Sequence, residues 1–354
     1  MTAGCSFVVH AGARAAAHLR ERGLAPSDIA CVPAAAGGPK GLALIPLDRR
    51  LFDPVGGWLR DTPLELVGAS IGAWRMAAAA MPDAMAALDR LAEAYIEQTY
   101  PHRPTPRQVA EQCRRLARAV LGAAQAIEAR PGRALTVVTA RARGPLDGNV
   151  TRAAFARAAL ANALSRSRLA AHLQRVLFTA GGARFPSVAF DPFGIDRVAL
   201  DARNSEDALL ASGSIPLLCE PVRNPDGAPR GEYWDGGLID YHLRLPYSQL
   251  PKLVLYPHFA PHLTAGWLDK FLPWRRHARS HPWLDNVLLV APSPAMLGRL
   301  PNRKLPDRKD FYRYGLDHAG RQRDWRRAMS ESDRFADDVL GWLTRPDPSL
   351  VHPL

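Results

Sequence analysis

The sequence predicts a layered α/β fold built on a central, mostly parallel sheet. Short apolar runs of strand length alternate with helix-length segments along most of the 354 residues. Two of those runs lead into glycine-containing turns that reopen as helices. No repeat of fixed period and no long flexible linker divides the chain.

The elements follow in order. Ala11 to Arg22 has helical spacing and stops at Gly23. The stretch "SDIACVPAAAGG" reads as a helix-start signal, then a buried strand entering a glycine turn. After Pro39 a helix resumes, and proline suits a first helical position. "LELVGAS" is a second apolar strand, and "IGAWRMAAAAM" turns helical. Pro82 interrupts it, and another helix runs to about Glu97. Residues 101–131 and 151–171 read as helices, with the strand "ALTVVTAR" between them and the strand "RVLFTAGG" after the second. "RVALD" precedes a helix that starts at Ser205 and enters "ALLASGSIP". "GEYWDGG" is a strand reaching a turn, and "PKLVLYP" and "NVLLVAPS" are two more strands. Residues 320–343 are helical, with Ser330 a candidate cap for the last helix.

Composition narrows the function classes. Hydrophobic residues make up 47% and charged residues 23%, as in ordinary globular proteins. No window of about 18 apolar residues is free of charge, which argues against a spanning helix. The first residues lack the basic stretch and apolar run of a secretion signal. Cys5, Cys31, Cys113 and Cys219 form no C-x-x-C pair, so neither a disulfide framework nor a zinc site is indicated. A reducing, cytoplasmic setting is expected. The net charge is +12, and between Lys270 and Arg327 fourteen Lys and Arg face five Asp. A basic region of this kind suits phosphate groups, on lipid or on nucleic acid.

Three motifs carry chemistry. Gly68-Ala69-Ser70-Ile71-Gly72 follows an apolar strand and opens a helix. A serine on such a turn is a candidate nucleophile, and its flanking glycines allow close backbone passage. Ala36-Gly37-Gly38-Pro39-Lys40-Gly41 also joins a strand to a helix. Consecutive glycines there can offer N–H groups to an oxyanion. Pro39 has no N–H, so Gly37 and Gly38 are the expected donors. The turn lacks G-K-[ST] and the G-x-G-x-x-G spacing, which excludes a P-loop and a dinucleotide fingerprint. The third motif is Asp235-Gly236-Gly237, at the end of "GEYW".

In this order the three motifs resemble the patatin-like phospholipases. The likeness covers roughly residues 30 to 245, and "ASGSIP" at 211–216 resembles that family's segment ahead of its aspartate. The resemblance implies a three-layer α/β/α hydrolase fold and lipid acyl hydrolysis through a Ser–Asp dyad, with an acyl-enzyme intermediate. By it, Ser70 is the nucleophile, Asp235 the base, and Gly37 and Gly38 form the oxyanion hole. Lys40 stands at the family's basic position, and Gly41, Gly68, Gly72, Gly236 and Gly237 support the motifs. Ala36 replaces the usual first glycine of the turn but keeps an N–H. The implied organisation is one hydrolase domain over 1–345, with its motif-bearing core at about 30–245. A basic, aromatic-containing part follows at about 250–345, then a tail at 346–354.

Neither a cofactor nor a metal is implied. His258 and His262 are four apart, but Pro257 and Pro261 break the helix that would align them. The expected partner is a lipid or other acyl ester, with no nucleic acid. Two other classes remain open: a Ser-His-Asp esterase or acyltransferase, since His242 and later histidines follow Asp235, and an inactive basic binding protein. Trp267, Phe271 and Trp274 fall at i, i+4 and i+7, followed by Arg275, Arg276 and Arg279. This spacing predicts a helix from Trp267 to Arg279 in peripheral contact with anionic membrane.

Overall fold

A computed structural model describes residues 5–100, 103–148, 151–275 and 281–354. Its strands are β1 (Phe7–Ala11), β2 (Ile29–Ala34), β3 (Leu64–Ala69), β4 (Arg133–Ala142), β5 (Leu173–Ala180), β6 (Asp196–Ala199), β7 (Val222–Arg223), β8 (Glu232–Asp235), β9 (Leu253–Pro257), β10 (Val287–Pro292) and β11 (Val351–Pro353). They form one sheet in the order β11-β1-β10-β9-β2-β3-β4-β5-β6, with β8 on β4 and β7 on β8. From β10 to β4 every pairing is parallel. Antiparallel pairing enters with β1 against β10 and with β5 and β8 against β4. Helices flank the sheet, so the expected three-layer α/β/α architecture forms. The central strands are largely apolar, and β10 is buried at every residue, as strands covered on both faces must be.

Strand β4 places the candidate site. One of its edges pairs with β5 along Leu135–Ala142. The other edge pairs with parallel β3 as far as Ala69 opposite Val138. It then pairs with antiparallel β8 from Asp235 opposite Thr139. Because β3 and β8 meet β4 from opposite directions, their C-terminal ends abut over two consecutive residues. Ser70 leaves one end and Asp235 closes the other. Strand β2 lies on the far side of β3, with Ala34 opposite Gly68. The Gly37–Gly38 turn therefore emerges beside Ser70, at the carboxyl ends of adjacent parallel strands, where open α/β sheets place their crevices.

Helix Ile71–Ala80 is buried at all ten residues. Its alanines let it pack closely from every side. Its one charge, Arg75, is met by two hydrogen bonds to Asp48, 2.6 and 2.7 Å long. Asp48 belongs to helix Ile45–Phe52, which follows the Gly37–Gly38 turn. This bidentate pair joins the helices behind the Gly37–Gly38 turn and the Ser70 turn. Burial pushes the Asp48 carboxyl up, and Arg75 pulls it back.

Several local expectations give way to tertiary structure. After Gly37 the chain first makes a 3-10 turn, Gly38–Leu44, and becomes α-helical only at Ile45. The segment read as a helix over 101–131 is α-helical only from Pro106 to Leu121. Ser330 caps nothing, because helix His318–Thr344 runs straight through it. Its N-terminus is capped by Asp317, which accepts from the Gly320 N–H at 2.8 Å. Trp267–Arg279 is not one helix. Trp267–Phe271 is a 3-10 turn, and a further turn carries the chain through Arg275. Pro273 cannot donate a backbone hydrogen bond, which removes a bond that continuation would need. Arg276 and Arg279 lie outside the described residues.

Removing one partner of the buried pair should show what it holds. Asp48→Ala leaves the Arg75 guanidinium buried without its counter-charge and should cost about 3–5 kcal/mol, read as a lower denaturant midpoint.

Candidate active site

Ser70 sits at φ +58° and ψ −131°, a region that non-glycine residues rarely occupy and that costs about 1–3 kcal/mol. The neighbours impose this turn. A Cβ on Gly72 would overlap the Ala34 carbonyl oxygen at the end of β2, so only glycine lets the helix start this close to the sheet. The Ser70 N–H donates to Ser212 Oγ at 2.9 Å, and Ser212 Oγ donates to the Val138 carbonyl at 2.8 Å. Ser212 thus ties the turn to β4. Its own segment also holds the other side, because the Asp235 N–H donates to the Ser214 carbonyl at 2.7 Å. The "ASGSIP" segment is therefore a clamp between the two strand ends.

Asp235 is buried, and its Oδ1 accepts from the Gly237 N–H at 2.7 Å. A Cβ on Gly236 would strike the Val138 carbonyl, so the glycines allow the sharp exit from β8. Burial pushes the Asp235 carboxyl up to about 6. Hydrogen bonding to the Ser70 hydroxyl and the Gly237 N–H lowers it, as do the nearby charges of Arg308 and Lys270. The result is a carboxylate that is ionised at neutral pH yet far more basic than an exposed one.

Gly38 has φ +57°, which suits glycine, and a Cβ there would lie 3.2 Å from Arg308 Nε. Among the described residues no protein acceptor takes the N–H of Gly37 or Gly38. The N–H of Ala36 is engaged, donating to the Tyr241 carbonyl at 3.0 Å. The alanine at this position therefore keeps an amide that is not free to act as a donor. Ser70, Asp235, Gly37, Gly38 and Lys40 line one cavity of about 190 Å³.

Two features escaped the sequence. The polar cavity is completed by Lys270, Arg308 and Lys309, from the basic C-terminal part. A second cavity of about 700 Å³ also reaches Ser70, with walls that include Trp74, Tyr95, Leu116 and Phe311. Ser70, Ile215 and Arg308 line both. Only the excess of cations in this region hinted at the first feature, and nothing local pointed to the second.

His318 lines the larger cavity, and other histidines cluster together. His242 and His258 are buried with ring centroids 4.4 Å apart, and Phe259 stacks on His258. His242 Nδ1 accepts from the Thr264 N–H at 3.0 Å. Burial holds His242 well below its usual value and His258 down to about 3. No histidine lines the polar cavity among the described residues. No group of three or more His, Cys, Asp or Glu side chains among them is arranged to hold a metal ion.

A family model described as patatin-like phospholipase matches residues 35–242. The chain belongs to the patatin-like phospholipase family. Members of this family hydrolyse lipid acyl esters, so the protein is a hydrolase acting on ester bonds. The matched residues span all three motifs and stop before Lys270 and Arg308. Comparison with curated proteins finds no match. No described helix is long and apolar enough to cross a membrane.

The clamp is directly testable. Ser212→Ala takes the acceptor from the buried Ser70 N–H. Loss of stability should be about 1–3 kcal/mol by chemical denaturation, with turnover falling more than a surface substitution would cause.

Proposed function

We propose that this lipid acyl hydrolase works through a Ser70–Asp235 dyad and an acyl-enzyme intermediate. What supports the reading most is the placement of Ser70 and the buried Asp235 on the wall of one cavity, at strand ends that abut along β4. A serine hydroxyl is a weak nucleophile until a base takes its proton. A base with a value near 6 is suited to that task at neutral pH.

The steps follow from these groups. Ser70 Oγ attacks the ester carbonyl carbon as its proton passes to Asp235. The carbonyl oxygen becomes an oxyanion, and the N–H groups of Gly37 and Gly38 are its donors. The carbon–oxygen bond to the alcohol half then breaks, and Asp235 returns the proton to the departing oxygen. Water attacks the acyl-enzyme, gives its proton to Asp235, and the carboxylic acid leaves as Ser70 Oγ is reprotonated. The apolar cavity takes the acyl chain.

Exposed apolar side chains near the two cavities favour peripheral contact with a membrane. Phe271 and Trp274 are 60% and 70% exposed in the turns around Lys270. Tyr312 and Leu316, at 80% and 67%, lie on the wall of the apolar cavity. Together with the net charge of +12, these groups suit an anionic lipid surface.

Mutants separate a dyad from a triad. Ser70→Ala should lower turnover of a p-nitrophenyl ester by about 10³ or more, with Asp235→Asn nearly as damaging. His242→Asn should stay within about tenfold of wild type, well short of the loss expected for a missing nucleophile. A folded His242 variant as inactive as Ser70→Ala would replace the dyad with a triad.

A further inference from the structure

The Gly37 peptide is held differently from the rest of its turn. Its N–H has no protein acceptor among the described residues. An amide that must stay open for an oxyanion cannot be fixed by its own hydrogen bond, so packing has to fix it. The neighbouring Ala36 N–H is anchored on the Tyr241 carbonyl at 3.0 Å, which leaves Gly37 as the first open amide of the turn.

An aromatic ring lies against it. A Cβ on Gly37 would fall 2.4 Å from Cε1 and 2.9 Å from Cζ of Phe259, so the ring fills the place of a side chain. The same ring lies 4.9 Å from Lys40 Nζ and so meets the turn at two residues. Phe259 reaches this place because β9 pairs with parallel β2, the strand from which the turn emerges. The His258 N–H donates to the Val290 carbonyl at 2.8 Å, which carries the sheet one residue past β9, and Phe259 follows directly.

The ring is itself seated. Phe259 is buried and stacks on His258, with centroids 4.4 Å apart and planes 25° from parallel. His258 Nδ1 accepts from the Ala260 N–H at 3.0 Å. His242 stands edge-on to both rings, 4.4 Å from His258 and 5.1 Å from Phe259, and its own Nδ1 is held by the Thr264 N–H. Stacked and edge-to-face contacts of this kind fix the orientation of a ring as well as burying it. Burial holds His258 down to about 3, so the stack stays neutral beside Lys40 at neutral pH. Two buried histidines with no part in the dyad thus support the ring that supports the turn.

We propose that Phe259, seated on His258 and His242, is a positioning residue of the oxyanion turn and holds the Gly37 amide where the developing oxyanion meets it. This inference rests on the hydrolase reading above, with Gly37 as a donor. Phe259 and His258 lie beyond the family match at 35–242, so the matched segment supplies the turn and the part that follows supplies its rigidity. Phe259 lines neither cavity, so its loss should leave substrate binding nearly intact.

Acylation and deacylation both pass through an oxyanion, so kcat reads the turn whichever step limits. Phe259→Ala should lower kcat on a p-nitrophenyl ester by about ten- to a hundredfold. KM should stay within about twofold of wild type. A trifluoromethyl ketone, whose Ser70 adduct carries an oxyanion, should lose affinity by a similar factor. Phe259→Leu keeps apolar volume without the ring and should show the same pattern at smaller size, which covers an alanine variant that does not fold. Gly37→Ala keeps the N–H but sets a methyl group against the ring, so it should do more harm in wild type than in Phe259→Ala. An unchanged kcat in the folded Phe259 variants overturns the proposal. So does a lower kcat with unchanged trifluoromethyl ketone affinity, or losses at positions 37 and 259 that simply multiply. Fluorophosphonate labelling of wild type keeps the two readings apart. A Ser70 that labels alongside any of these contrary results removes the positioning role alone, and a Ser70 that fails to label removes the hydrolase reading and the inference with it.

Discussion

Everything at the candidate site depends on one shared edge of β4. That edge is paired by β3 up to Val138 and by β8 from Thr139 onward. Two strands of opposite direction thereby end against each other, and the residues at their tips, Ser70 and Asp235, are brought together by backbone hydrogen bonding. The arrangement leaves little room, and small residues answer it. Gly72 lets its helix begin against the Ala34 carbonyl, and Gly236 passes under Val138. Ser212 fills the seam with a hydroxyl that both accepts from Ser70 and donates to Val138. The left-handed backbone of Ser70 is sustained by these contacts, as strain at a functional site has to be.

Electrostatics completes what the backbone begins. Burial pushes the Asp235 carboxyl up. The Ser70 hydroxyl, the Gly237 N–H and the charges of Arg308 and Lys270 oppose that push. Other C-terminal cations among the described residues are structural. Arg326 pairs with Glu93 and Glu97, and Arg321 is buried against Phe311 and Trp325. The net charge of the region thus says less about binding than the few cations that reach the cavity.

Much of the fold was legible in the sequence because its signals are local. The apolar strands, the glycine turns and the alanine-rich helix after Ser70 each read from neighbours within a few residues. Ser70 and the Gly37–Gly38 turn were visible for the same reason. Asp235 was not readable from Asp-Gly-Gly itself and came through resemblance to a family, since its meaning lies in the pairing of β8 with β4. Ser212 and Arg308 were missed because their partners are distant in sequence: Ser212 reaches Ser70 across 142 residues. The Trp267–Arg279 stripe does not form one helix, because its aromatic spacing is interrupted by the proline at 273. Ser330 failed because a buried helix face from Trp325 to Leu343 holds the helix continuous where a cap was expected.

In the proposed mechanism Asp235, and no other group, activates Ser70. The rate at which a fluorophosphonate labels Ser70, followed by intact mass across a pH series, tests it most directly. The rate should climb as pH rises through about 6, where Asp235 loses its proton, and stay low at every pH in Asp235→Asn. An Asp235→Asn protein that labels as fast as wild type, with the same pH dependence, would contradict it.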